Sequence, residues 1–572
     1  MLSDSYKKTG YSIDKVRTPD ETLEWIQKRF ETLDCPILHE VKRIDKGRLG
    51  IPVYVSRYSA QAASLTGTQK QMGKGISEAQ ARASAVMELV ERFSLFHFVK
   101  KGNHSLGRLI DIAGTVPLDH ILKAIHWNNC GEAEEVIINN LGMKWNNCYR
   151  PIEKQDYVMP FSWFWPINEY NGSAAGNSLE EAAVQAISEV VERHVCSVIT
   201  YGRLKTPEID QSSISDPDVL DLLQKFQHRG IQVILKDFSL NMGIPTVGAI
   251  AWDPSTFPSR SEIVYTAGTA PQPDRAIVRA LTEVAQLAGD FDTEGKYLES
   301  GLPKFETLKE ASYVIEPEGT VAIGDLPDVG SNNFKDEIEA MAHALESRGM
   351  PLYLVDITHP QLKVPAVYAV IPGNHFRDRT IGIEFPYHAA RVAITEDVDE
   401  AHKVLDLVEK YFPNRYDTAF YQGYLKEEAG LYEEALEWYE RALKRSPDQL
   451  ELASIHCHRG SCYNGMGQYE KALKEFDISE KYNPQLKEIY NLKGYSLFKL
   501  GRHLEAIEAF EKAIAIDPGS AIDYANIGSN LDKLGLKEAA CRWYEMALEL
   551  DPSLEWARKK LANIMNGCSI SA

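Results

Sequence analysis

The chain has 572 residues, of which 44% are hydrophobic and 25% charged, too long for one core and too apolar for disorder, so several packed units are expected. A net charge of −20 and a pI near 5.3 create a field that repels phosphate backbones, which argues against nucleic acid and favours a basic protein or peptide partner. Cysteines at 35, 130, 148, 196, 457, 462, 541 and 568 form no Cys-x-x-Cys pair and no disulfide framework, as suits a reducing cytoplasm.

The N-terminal MLSDSYKKTGYSIDKVRTPDETLEW has no apolar core of the signal-peptide kind. The most apolar stretch, 244–252, is broken by Pro245 and too short to span a bilayer, so no membrane role is expected. The run GTQKQMGKG approaches a phosphate-binding P-loop, but Thr68 stands where its first glycine belongs, and Gly75 where a Mg²⁺-binding Ser or Thr is needed. Nucleophile-elbow, His-Glu-x-x-His and Rossmann patterns are also missing, which leaves hydrolase, zinc and NAD readings without sequence support.

Three segments of related sequence follow. GKGISEAQARASAVMELVERF carries Ser84, Glu88, Glu91 and Arg92; GNSLEEAAVQAISEVVERH carries Gln185, Glu189, Glu192 and Arg193; QPDRAIVRALTEVAQLA carries Arg279, Glu283 and Gln286. Each begins with a candidate N-cap, Ser77, Ser178 or Asp274, and the first two have Gln80 or Glu181 in capping-box position. The spacing i, i+4, i+7, i+8 puts these polar residues on one face of a helix whose other positions are mostly apolar. A helix of that kind is buried, so its carboxylates must be paired or must coordinate something. An i,i+4 pair of Glu88 with Arg92 and a plain capping role for Glu181 would explain one helix; the threefold recurrence favours function.

Glu88, Glu91, Glu181, Glu189, Glu192 and Glu283 cannot crowd around a bare triphosphate, because like charges repel strongly at low dielectric. Mg²⁺, which prefers carboxylate and phosphate oxygens, would bridge them to ATP, with Lys74, Arg92, Arg193 and Arg279 answering the remaining phosphate charge.

Past Tyr416 the sequence repeats. Gly430, Gly467, Gly501 and Gly535 recur in step with Pro447, Pro484, Pro518 and Pro552 and with Gly423, Gly460, Gly494 and Gly528. The stretches between have a helical apolar period. This resembles the tetratricopeptide repeat family, with four helix pairs over 416–565, glycines that let paired helices approach, and Ala435, Ala472, Ala506 and Ala539 on the facing helices. Such arrays bind peptides on a concave face, or else serve only to stabilise or dimerise the chain. His456, Cys457, His458 and Cys462 lack metal-ligand spacing and read as ordinary helix positions.

Ser84-x-x-x-Glu88-x-x-Glu91-Arg92, then Asn171-Gly172-(x)₃-Gly176-Asn177 leading to Glu181, then Gln185-x-x-x-Glu189-x-x-Glu192-Arg193 and Arg279-x-x-x-Glu283 closely resemble the YcaO family over roughly the first 400 residues. The resemblance implies a mixed α/β catalytic domain, here 1–405, followed by the all-α repeat solenoid. It implies ATP- and Mg²⁺-dependent activation of a peptide backbone amide. A nucleophile adds to the carbonyl carbon, the oxyanion takes the γ-phosphoryl group, and phosphate leaves. A sulfide equivalent then gives a thioamide, a neighbouring Cys, Ser or Thr an azoline, and nitrogen nucleophiles amidines.

Carried over residue by residue, Lys74, Ser84, Arg92, Asn177, Gln185, Arg193 and Arg279 are implied nucleotide contacts, joined by Lys15 and Thr22 in an N-terminal segment. The six glutamates are implied Mg²⁺ ligands, with Glu88, Glu189 and Glu192 at the catalytic centre. Ala174 replaces a polar residue of some relatives, and the Pro-x-Pro-x-Pro tail of azoline-forming members is missing, which sets thioamidation ahead of azoline formation. Relatives with a helical C-terminal extension are linked to methylthiolation of ribosomal protein S12 as accessory factors. The expected partners are a protein or peptide substrate held by the repeats, a TfuA-like or other separately encoded protein, and a second copy in a homodimer. A nucleotide-binding scaffold with an adaptor array is the rival from another class.

Overall fold

In the computed structural model, which describes residues 2–8, 14–291, 305–376, 382–396, 398–445 and 447–568, contacts divide the chain into two compact units. One comprises Met1–Gly131 with Met143–Phe385, the other Glu132–Gly142 with Pro386–Ala572.

Among the described residues the first unit holds three sheets. β1 (Leu38–Arg43), β2 (Val53–Tyr58) and β3 (Lys70–Lys74) form an antiparallel sheet in that order. The second runs β4 (Ser105–Gly107), β5 (Met143–Arg150), β13 (Tyr353–Asp356), β14 (Ala366–Val370), β7 (Ser173–Ala175), with β6 (Gln155–Pro160) also on β5. The third runs β11 (Val264–Thr269), β10 (Thr246–Trp252), β9 (Gln232–Asp237), β8 (Glu208–Ile209), β12 (Thr320–Val321), parallel only between the last two. β10 and β11 are buried almost throughout, and β10 accounts for most of the apolar stretch 244–252.

The three related segments are helices, Glu78–Lys101, Leu179–Gly202 and Pro273–Ala288, each entered from a strand, β3, β7 or β11, by a short loop. Each packs on its own strand and also reaches a strand of another sheet: the first helix reaches β7, the second β11, the third β3. The arrangement is cyclic, so three similar sequences become three similar walls facing one another. Small residues set the approach. A Cβ at Gly73 would strike the backbone of Ala81 and Ala85, and one at Gly268 the backbone of Ala276 and Ala280; Gly176 meets Ala182 in the same way.

Ser77 and Ser178 cap their helices, accepting from Gln80 N (3.3 Å) and Glu181 N (3.1 Å). Asp274 does not: the third helix starts two residues earlier than that cap would imply, with Gln272 at the cap and Pro273 at its first position. Proline's fixed φ and missing N–H suit that position, and Asp274 falls in the first turn, where a negative charge meets the helix dipole. Neither capping box forms as expected. Gln80 and Glu181 reach one residue past the cap, to Ile76 N (2.8 Å) and Asn177 N (3.3 Å).

The second unit is a run of helices. Four pairs span Tyr416–Leu550 among the described residues, followed by Glu555–Cys568. Helices Phe385–Glu396 and Val398–Tyr411 precede them, and Glu132–Asn140 packs on the latter. The two glycine series do different work. Gly430, Gly467, Gly501 and Gly535 turn each pair with φ between 71° and 78°, a conformation that favours glycine. Gly423, Gly460, Gly494 and Gly528 lie under the rings of Tyr439, Phe476, Phe510 and Tyr544, so these aromatic residues are a repeat signal beyond the glycines and alanines. The alanine in register in the last pair is the fully buried Ala540; Ala539, one position away, is half buried.

Candidate active site

The polar residues of the three helices stand in one register. Ser84, Gln185 and Arg279 are equally far from their helix starts, then Glu88, Glu189 and Glu283, then Glu91, Glu192 and Gln286, with Arg92 matching Arg193. The cyclic packing turns these faces toward one cleft. Lys74, at the end of β3, touches Glu283 on the third helix, while Arg279 donates to Gln185 on the second. Glu192 accepts from the Thr269 N–H (3.0 Å) at the end of β11. Lys74 and Glu283 keep 24% and 28% of their side-chain surface exposed, so the cleft is open to a ligand.

Charges dominate the cleft. Burial pushes the Glu91 carboxyl up to about 8; Arg92 opposes this, Glu189 and Glu88 add to it, and a Ser173 hydrogen bond (2.7 Å) pulls it back only in part. Glu88 is raised by burial and by Glu189 against the pull of Arg92, Lys74 and Arg193. Lys74 is drawn down to about 7 by burial, with Glu192 and Glu88 resisting and Arg279 and Arg193 assisting. Burial also works against the charge on Arg92, but Glu91, Glu189 and Glu88 outweigh it and hold this guanidinium above its usual range. Arg193 follows the same balance, with Glu189 and Glu192 prevailing. Burial is thus the main force that disfavours the charged carboxylates here, and the neighbouring cations offset it only in part.

The residues fit Mg²⁺. Their donors are carboxylate oxygens, the ligand type of a hard cation, and the upward shifts of Glu88 and Glu91 show that burial penalises their charge, a cost that coordination to a divalent ion would offset. Among the described residues no three carboxylates, histidines or cysteines already converge at ligating distance, and Lys74 instead lies against Glu283.

Glu181, Asn177, Thr22 and Lys15 form a second cluster at the N-terminal end of the second helix. Asn177 Nδ2 donates to Glu181 Oε1 (3.0 Å), Thr22 Oγ1 to Asn177 Oδ1 (3.0 Å), and Lys15 Nζ lies 4.0 Å from Glu181 Oε1. Ser84 is half buried at the register position of Gln185. Arg92 pairs with the adjacent Glu91 (3.3 Å), whereas Arg193 and Glu189 stand 3.8 Å apart at i,i+4.

Sequence reasoning missed the supports of Arg92. Its Nη1 donates to the Tyr170 carbonyl (2.8 Å) and to Ser173 Oγ (3.1 Å), and its guanidinium lies 4.7 Å from the Tyr170 ring centre. Tyr170 directly precedes, and Ser173 lies within, the Asn171-Gly172-x-x-x-Gly176-Asn177 stretch.

Residues 72–375 match the YcaO cyclodehydratase family, described as ATP- and Mg²⁺-binding. The chain belongs to the YcaO family. ATP and Mg²⁺ are accordingly its cofactors, and its first unit is a YcaO-type α/β domain. Tetratricopeptide repeats match at 395–449 and 524–554, and a subunit 3 description of the anaphase-promoting complex at 428–513.

An uncharacterised protein of Methanothermobacter thermautotrophicus is 28% identical over 62% of this chain and 93% of its own length. An uncharacterised protein encoded in the tfuA 3′ region of Rhizobium leguminosarum is 26% identical, covering 36% of this chain and 51% of itself. The ribosomal protein S12 methylthiotransferase accessory factor YcaO of Escherichia coli is 24% identical over 39% of each chain. The structure of YcaO from Methanopyrus kandleri bound with AMPPCP and Mg²⁺ superposes with a TM-score of 0.50 at 25% identity, over 67% of this chain and 97% of that one. No helix among the described residues is long and apolar enough to cross a membrane.

Proposed function

We propose that this protein activates a peptide backbone amide by transferring the γ-phosphoryl group of ATP to the amide oxygen, and that the product is a thioamide. The observation that carries the reading is the cyclic placement of three helix faces, which aims Glu88, Glu91, Glu189, Glu192 and Glu283 at a cleft also holding Lys74, Arg92, Arg193 and Arg279. In this reading Glu181 completes the six Mg²⁺ ligands. Ser84, Gln185, Asn177 and the three arginines hold the nucleotide, with Lys15 and Thr22 beside them. Bound Mg²⁺ supplies Lewis acidity toward phosphate oxygens and neutralises charge during transfer.

Hydrosulfide adds to the amide carbon and gives a tetrahedral oxyanion that keeps the amide N–H. The oxyanion attacks the γ-phosphorus and ADP leaves. Loss of the S–H proton then expels phosphate and forms C=S. An amide oxygen is a poor leaving group until phosphorylated, so the chain's part is positioning and charge neutralisation, for which Arg92 is anchored by Tyr170 and Ser173.

The relative encoded beside tfuA supports thioamidation and a separately encoded partner. The Escherichia coli relative supports the other reading, an accessory role in S12 methylthiolation. The repeats are the natural site for a protein substrate. The test incubates the full chain with ATP, Mg²⁺, sulfide and a peptide pool, and follows ADP release and product mass. Exchange of oxygen for sulfur is expected; loss of water would mean azoline formation. Absence of ATP turnover, with Glu189→Ala indistinguishable from wild type in cells, would sink the enzymatic reading.

A further inference from the structure

The family match begins at residue 72, yet an earlier stretch reaches the second helix. Glu181 is buried, 4% exposed, and three donors fix both of its oxygens. The Asn177 N–H (3.3 Å) and Asn177 Nδ2 (3.0 Å) bind Oε1, while Nδ2 (3.2 Å) and the Val16 N–H (2.9 Å) bind Oε2.

The Asn177 amide is oriented in turn from the same stretch. Its Oδ1 accepts from Thr22 Oγ1 (3.0 Å) and from Arg17 Nη1 (3.4 Å). Turned over, the amide would set N–H against two donors and its oxygen against a carboxylate, so only one orientation is satisfied. Thr22 is 5% exposed, and its single hydroxyl proton is shared between Asn177 Oδ1 and the Thr18 carbonyl (3.0 Å).

Thr22 therefore has no donor left for a nucleotide and acts through Asn177. Arg17 also binds the Asn177 carbonyl (3.2 Å) and lies 4.3 Å from the Trp25 ring centre. Thr18 caps helix Pro19–Phe30 with a full capping box, which makes the support of Thr22 stiff.

We infer that residues 14–22 are a positioning arm for the metal site: Thr22 and Arg17 orient the Asn177 amide, and Asn177 with the Val16 N–H aims the Glu181 carboxylate. The inference rests on the reading of Glu181 as a Mg²⁺ ligand. Partners one shell out from a metal commonly change its affinity 10- to 100-fold when removed.

The experiment titrates the full-length protein with AMP-PCP at a series of Mg²⁺ concentrations by calorimetry and follows thermal unfolding without metal. Thr22→Val, nearly isosteric, is expected to raise the Mg²⁺ concentration for half-saturation about tenfold or more. Thr22→Ser restores the wild-type value, and metal-free melting is unchanged in both. Arg17→Ala, at a half-buried position that folding tolerates better, shifts the Mg²⁺ requirement in the same direction.

Wild-type Mg²⁺ dependence in both Thr22→Val and Arg17→Ala overturns the arm while leaving the nucleotide site standing. Failure of Thr22→Ser to restore binding also overturns it. Failure of the wild type to bind AMP-PCP at any Mg²⁺ concentration overturns the nucleotide site itself, and the arm with it.

Discussion

The two units use the same small residues to opposite ends. In the first, Gly73, Gly176 and Gly268 admit the backbone of a helix that carries charge into the interior; in the second, Gly423, Gly460, Gly494 and Gly528 admit aromatic rings. The reach of their polar contacts differs as well. Thr22 and Asn177 are 155 residues apart, and Arg92 and Ser173 are 81 apart. In the repeats, Ser496 with Asn464 and Asn491 with Asp523 both span 32 residues, about one repeat. A site assembled from distant segments depends on the whole unit, whereas repeats lose stability locally and nearly additively.

The largest contrast is expected at the cleft. Glu88→Ala removes one carboxylate from the shared cation site and should lower kcat/KM for ATP by about 10²–10³-fold, equivalent to roughly 3–4 kcal/mol. The thermal transition of the repeats should not move. A matched change in an array carboxylate such as Glu440→Ala should leave ATP turnover intact, and equal losses from both would dissolve the distinction between the units.

Glycine substitutions should separate the units next. Gly268→Val pushes side-chain atoms into the backbone of Ala276 and Ala280, which cannot turn aside, and is expected to unfold the first unit or cost about 4 kcal/mol or more. Gly494→Val meets the Phe510 ring, which can shift, and should cost about 1–3 kcal/mol. Two calorimetric transitions, each moved by its own variant, would show the difference.

A smaller effect is expected in acid. In the first unit, the His375 ring stacks between His126 (4.1 Å) and His194 (5.4 Å), and the His375 backbone N–H donates to His194 Nδ1 (3.0 Å). Burial, then His375 and His126, draws His194 down to about 4, and burial also lowers the other two. The unfolded chain takes up these protons first, so stability is complete above pH 6.5 and falls as pH drops from there toward 4. The first unit should lose on the order of 2 kcal/mol between pH 7 and pH 5. His194→Gln should flatten that slope, and an unchanged slope would remove the stack as its source.

Much of the cleft was legible because it lies along single helices. The spacing of Glu88, Glu91 and Arg92 already fixes one face, and its recurrence at Glu189 and Glu283 says that three such faces share a task. The repeat glycines were legible for the same local reason. What could not be read are contacts closed by the fold. Nothing near Arg92 in sequence announces Tyr170 and Ser173, and Glu181 looks like a capping-box residue until the Val16 N–H arrives to bind it. Asp274 misled because Pro273, a stronger helix starter, precedes it. β7, only three residues long, gave no strand signal, although it delivers the chain to the second helix.

The central claim is that the γ-phosphoryl group lands on the oxygen of a peptide amide. A substrate peptide carrying ¹⁸O at its backbone carbonyl tests this directly once turnover with ATP, Mg²⁺ and sulfide has been found. Mass spectrometry of the released phosphate should show one ¹⁸O atom for each modified amide. Phosphate without the label, formed alongside modified peptide, would contradict the account.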